Sequence, residues 1–172
     1  GNLNIETASN LSGNMLNFNG TLTVNNASTL NTNGLLTLTS NASNTARVAP
    51  VLGSINGNVT VERYFNGKRA WRFLTAPLSS NGLSPVYLNN SWQQQTHITG
   101  PSGIGFDAIR PNFSFLTHLP NAWSGVNNTQ TTELFTNATT ASNKAFAAFI
   151  RGNRSIDLNN ITAFSSATLS AS

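Results

Sequence analysis

The sequence predicts an all-β chain, with β-solenoid-like repeats over 1–62 followed by a β-sandwich-like or jelly-roll-like domain over 63–172. Three observations predict it. A Gly-x-aliphatic-x-aliphatic phrase recurs through the first third; short period-two runs bounded by Asn, Pro and Gly fill the remainder; and no segment sustains a helical period.

The phrase occurs at Gly1-Asn-Leu3-Asn-Ile5, Gly20-Thr-Leu22-Thr-Val24, Gly34-Leu-Leu36-Thr-Leu38 and Gly57-Asn-Val59-Thr-Val61, with a looser copy over Gly13–Phe18. Each copy reads as one short strand with two inward aliphatic side chains. The spacing of 14 to 23 residues is irregular, which suits solenoid coils with variable corners. Asn-rich corners such as Asn25-Asn26, Asn31-Thr32-Asn33 and Asn41–Asn44 supply turns whose amides stack from coil to coil. An antiparallel meander is the competing reading. The solenoid is preferred because the connections are long, lack two-residue turns and repeat the glycine at the strand start. Such a stack leaves backbone unpaired at its ends. The near end, which starts inside a repeat at Gly1, is expected to meet preceding chain or another subunit.

Gly57–Pro77 is the hinge of the chain, and four of the nine basic residues (Arg63, Lys68, Arg69, Arg72) fall inside it. Val59–Phe65 alternates as one strand, Arg69–Leu74 as a second, and Asn66-Gly67 between them signals a hairpin that caps the repeats. Its arginine stems are expected to pack over Trp71 and Tyr64 with Glu62 as a partner, in preference to binding an anion. Residues 78–96 read as a loop-rich connection with a short strand at Val86–Leu88. Trp92 there is a core plug or, less simply, a sugar platform beside three glutamines.

The Gly-rich run Thr96–Asp107 lacks the Lys-Ser/Thr of a phosphate loop. His97 and Asp107 would approach one another only if this loop folded back, and two residues make a poor metal site. Strands follow at Phe113–Thr117, around Trp123, at Glu133–Thr136, Ala145–Arg151 and Ala167–Ala171. Turns are expected at Pro120-Asn121, Asn127-Asn128, Asn143-Lys144 and Gly152-Asn153, the last closing a hairpin onto Arg154–Leu158. Phe146 and Phe149, spaced i and i+3, keep a helix open as the alternative for Ala145–Ile150.

Only 8% of residues are charged, while 27 are Asn. That balance suits an extracellular β protein with neutral polar faces and is unlike an ordinary disordered chain. Nine basic residues against five acids are too sparse for a nucleic-acid surface despite the net charge of +4. Without cysteine there are no disulfides, zinc-thiolate sites or thiol nucleophiles. No run is long enough to span a membrane and no signal-like block stands at Gly1, so the chain reads as a mature or excised piece. Eleven N-x-S/T sequons are what this composition yields by chance.

The order GNVTVERYF, KRAWRFLTAP, THITGPSGIGFD and AFIRGNRSIDL, spread over most of the chain, resembles a module of large secreted surface proteins of Bacteroidota, exported by the type IX, gliding-associated pathway. The resemblance implies an extracellular adhesive or structural role, a solenoid-like repeat ahead of the module, and a sorting domain at the end of a longer parent. It supplies no catalytic residues, and Asn153 stands where relatives often carry Asp.

Glycan hydrolysis needs two facing carboxylates, yet Glu6, Glu62, Asp107, Glu133 and Asp157 are scattered and match no acid/base motif. No G-x-S-x-G elbow is present. The expectation is therefore a non-enzymatic module without cofactor or metal, whose partners are copies of itself or adjacent modules. Leu3, Ile5, Thr168 and Leu169 in the alternating tails are the candidates for strand addition. The alternative is a carbohydrate-binding adhesin module using Trp92, Trp123, Arg69 and Trp71, with surface glycans as ligands.

Overall fold

Period-two alternation becomes strand almost everywhere it occurs. The computed structural model describes residues 1–75, 78, 85–107, 111–135 and 145–172. Pro77, the Asn137 sequon and the Asn143-Lys144 turn lie outside them. The described chain is all-β, its one helical element a single 3₁₀ turn at Trp92–Gln94. It forms two compact units, Gly1–Tyr64 and Phe65–Ala171.

In the first unit the strands come in three successive triplets. They are β1 (Asn2–Ile5), β2 (Ser9–Asn10) and β3 (Leu16–Phe18); β4 (Thr21–Val24), β5 (Thr29–Asn31) and β6 (Leu36–Leu38); and β7 (Arg47–Val48), β8 (Ser54–Asn56) and β9 (Val59–Phe65). Each strand pairs in parallel with its counterpart in the next triplet: Leu3 lies opposite Leu22, Leu30 opposite Ile55, and Leu36 between Leu16 and Val59. Every strand pair within the unit is parallel, so a meander does not describe it. Inward aliphatics stack into one core in which Leu22, Val24, Leu30 and Leu36 are fully buried.

The glycine phrase counts strands differently from the expectation. Its copies at Gly1 and Gly20 lead into β1 and β4, whereas Gly13, Gly34 and Gly57 precede β3, β6 and β9. Each triplet thus holds three strands, two of them introduced by the phrase in the first two triplets. The second set occupies one recurring corner at φ of 85°, 74° and 91°, which only glycine adopts without strain. Amides stack from triplet to triplet as expected: Asn31 Nδ2 donates to Asn10 Oδ1 at 2.6 Å, and Asn56 Nδ2 to Asn31 Oδ1 at 3.3 Å. Thr32 departs from the outward-polar rule. It is fully buried, its hydroxyl 2.7 Å from the Asn58 carbonyl oxygen.

The second unit holds β10 (Ala70–Thr75), β11 (Val86–Tyr87), β12 (Phe115–Leu119), β13 (Ala122–Gly125), β14 (Glu133–Phe135), β15 (Ala145–Ile150) and β16 (Ala167–Ala171). An antiparallel sheet runs in the order β10-β15-β12-β13, with β11 and β14 forming a separate ribbon. Pro120-Asn121 closes a tight hairpin, since Leu119 pairs with Ala122. Ala145–Ile150 is strand, not helix, because its alternation buries Phe146, Ala148 and Ile150 against Phe115, Trp92 and Leu169.

Two expected hairpins are replaced by other pairings. Although both arms of the Val59–Leu74 segment are strands, β9 pairs with β6 and β10 with β15, so Asn66-Gly67 joins two sheets. After Gly152 the chain leaves the sheet. Asn153 makes only an isolated bridge to Thr96, and 154–158 are turns, because the Arg154 side chain is drawn to Asp107. The arginines do lie over aromatic rings, but Arg72 covers Phe65 and Arg69 covers Phe149, both at 5.9 Å, while Glu62 accepts the Ser40 N–H.

Candidate functional site

Alternation along β10 sends Ala70, Arg72 and Leu74 toward the core and leaves Trp71 and Phe73 outside, 46% and 76% exposed. Antiparallel register carries that outer face across the sheet. Trp71 sits opposite Phe149, Phe73 opposite Ala147, Ala147 opposite Leu116, and Leu116 opposite Gly125, while His118 faces Trp123. The rings touch in sequence: Trp71 to Phe149 at 5.4 Å, Phe73 to Trp123 at 5.5 Å, and His118 to Trp123 at 5.0 Å between centroids. Gly125 makes room for one more ring, because a Cβ there would stand 2.4 Å from Phe113. Cross-strand aromatic pairs stabilise a sheet, and Trp71, Phe73, Phe113 and Trp123 leave exposed rings together on this face.

Beside the Trp71–Phe149 pair the surface dips into a cleft of about 340 Å³. Arg69, Trp71, Phe113 and Phe149 form one side, Thr96, His97, Thr99 and Asn112 another, and Ile156, Leu158 and Ile161 close it. Arg151 fixes that last wall, its guanidinium donating to the carbonyls of Leu158, Asn160 and Ala163. Its other wall rests on the folded-back loop 96–107. The Asp107 amide donates to the Ile98 carbonyl at 2.8 Å and the Ile98 amide to Asp107 Oδ2 at 2.8 Å.

Asp107 is the anchor of that loop. Arg154 grips both carboxylate oxygens, Nη2 to Oδ1 at 2.8 Å and Nη1 to Oδ2 at 3.1 Å, and Gln93 adds an amide at 3.4 Å. Burial works to raise the carboxyl pKa. The Arg154 hydrogen bonds, the Ile98 N–H, the guanidinium charge and the Gln93 amide together outweigh it and hold the pKa below its ordinary value. His97 Nδ1 comes within 3.5 Å of Asp107 Oδ2, and its Nε2 donates to the Arg154 carbonyl at 3.0 Å. Both carboxylate oxygens are committed to a guanidinium, and no cluster of three or more His, Cys, Asp or Glu occurs among the described residues. The group is a structural clamp.

Of the expected sugar-contacting residues, Arg69, Trp71 and Trp123 share the outer sheet face. Trp92 does not. It is only 4% exposed, packed against Phe115 and Phe146 on the opposite side of the sheet, so the core-plug reading is the correct one. Of the residues expected to add strands, Ile5 and Leu169 are buried in the two cores, whereas Leu3 and Thr168 are half-buried. Ile5 and Leu169 are thus core residues, while Leu3 packs against the first core and stays half-exposed.

No family model, curated protein or solved structure matches the chain. The site is therefore defined by geometry alone.

Phe73, Phe113, Phe149, His118 and Asn112 are not among the site candidates that the sequence offers. The available signal was the shared parity of Trp71 with Phe73 and of Ala147 with Phe149, which says that each pair shares a face without saying which faces coincide.

Proposed function

We propose that this chain is a non-enzymatic structural and adhesive module of an extracellular bacterial surface protein, with a β-solenoid as its first unit and a β-sandwich-like second unit. It associates end to end through the open side of its first strand triplet. One observation carries this reading: among the described residues β1, β2 and β3 are the outermost strands of three separate sheets, so one triplet offers three unpaired edges at once. Leu3, Leu11, Leu16 and Phe18 in that layer remain half-exposed where Leu22, Leu30 and Leu36 of the next are fully buried. Another layer of strands would satisfy the backbone and cover these side chains together. The sparsely charged, Asn- and Thr-rich composition and the resemblance of the Gly57–Pro77 and Arg151–Leu158 stretches to type IX-exported surface proteins support the location. No helix among the described residues is long and apolar enough to cross a membrane.

Electron microscopy across a concentration series tests the assembly. End-to-end rods that vanish in Leu16→Lys, with the β-rich circular dichroism retained, are expected. Monomers at every concentration would end the proposal.

The neighbouring rings of Trp71, Phe149, Phe73 and Trp123 favour a second activity, carbohydrate binding on the outer sheet face, because an exposed aromatic ring stacks on the apolar face of a pyranose. On a glycan array, Trp71→Ala and Trp123→Ala are expected to abolish the retention seen with the parent chain. Retention that survives both substitutions would remove this reading.

A further inference from the structure

The cleft beside Trp71 differs from the open sheet face in its charge. Arg69 and Arg151 line it together with His97, and among the described residues no Asp or Glu does. Arg151 is occupied with the carbonyls of the 158–163 segment. Arg69 is different: its guanidinium lies over the Phe149 ring at 5.9 Å, with no carboxylate paired to it among the described residues. A cation held on an aromatic face keeps its N–H groups free for a planar anion, and a guanidinium fork matches a carboxylate bidentately. The exposed Asn112 side chain lies on the same cleft as a group that binds alcohols, held in place where the Thr99 hydroxyl donates to the Asn112 carbonyl at 2.9 Å. Trp71 and Phe149, tilted 55° to each other, supply the apolar wall, and Trp71 offers the flat ring.

We propose that this cleft is the specificity subsite of the carbohydrate-binding face and takes an acidic sugar. A hexuronate unit of an acidic polysaccharide would stack on Trp71 with its carboxylate on Arg69 and its hydroxyls toward Asn112. The proposal rests on the sugar-binding reading of the outer face and adds the charge of the ligand to it. A neutral sugar would leave the guanidinium without a counter-charge, whereas a phosphate or sulfate without a ring would leave the aromatic wall uncovered.

The test is affinity electrophoresis or biolayer interferometry of the whole chain on polygalacturonate and on the same polymer after carboxyl reduction. Retention by polygalacturonate alone is expected, weakened at least tenfold in Arg69→Gln, partly restored in Arg69→Lys, and lost in Trp71→Ala. Arg69 precedes β10, and neither it nor Trp71 belongs to the buried core, so folding is checked by an unchanged thermal transition. Equal retention by the reduced polymer, or full binding by Arg69→Gln, would overturn the acidic-sugar proposal and leave the broader reading standing. Retention of inorganic sulfate in place of the polymer overturns it as well. Binding to neither polymer, with no hit on a neutral glycan array, would end both.

Discussion

Two tryptophans have opposite surroundings. Trp92 fills the core between Phe115 and Phe146, so Trp92→Ala should cost about 3–5 kcal/mol, read from urea unfolding. Trp71→Ala, at an exposed position, should stay within about 1 kcal/mol. Asp107→Asn should cost about 1.5–3 kcal/mol, since it removes the charge that Arg154 grips. Because the folded pKa of Asp107 is depressed, its contribution is fully present above the unfolded carboxylate value of about 3.9 and is lost as pH falls through the lower folded value. Melting temperatures should therefore drop for the parent below about pH 4, and the gap to Asp107→Asn should close there. A gap that persisted at low pH would show that packing, not charge, makes the difference.

Parallel triplets were legible as elements because Leu22 and Val24, or Leu36 and Leu38, announce an inward face by spacing alone. Which strand meets which was not. Gly1 and Gly20 serve one sheet, and Gly13, Gly34 and Gly57 another, a distinction that appears only once three strands are seen to make a layer. The corner glycines also differ among themselves. A Cβ at Gly57 would meet Thr32 Oγ1 at 2.7 Å, while at Gly34 it would meet nothing within 4 Å. Gly34→Ala should cost the backbone strain alone, about 1–2 kcal/mol, and Gly57→Ala measurably more. Equal losses in chemical denaturation would show that the buried Thr32 hydroxyl yields freely. At Asn66-Gly67 the turn chemistry of a hairpin is present, but β6 and β15 offer β9 and β10 better-buried partners.

At the scale of the whole molecule, two proposed interactions obey different physics. Layer-on-layer association uses main-chain hydrogen bonds and aliphatic contacts, so rod formation should persist or strengthen as sodium chloride rises from about 0.05 to about 0.5 M, which shortens the screening length from roughly 14 to roughly 4 Å. Retention on an acidic polysaccharide should weaken severalfold over the same range, because it depends on an exposed guanidinium. If both respond alike to salt, one surface serves both.

The sequence by itself determined the all-β class, most strand positions, the amide ladder, and Arg69, Trp71 and Trp123 as candidates, because alternation and turn chemistry are local properties. Only the tertiary structure decided that Trp92 is core, that Asp107 meets Arg154, and that Phe73 and Phe149 complete the face. Those outcomes depend on contacts between segments far apart in the chain, and for Phe73 and Phe149 on strand register, where a shift of one residue would turn each to the other side.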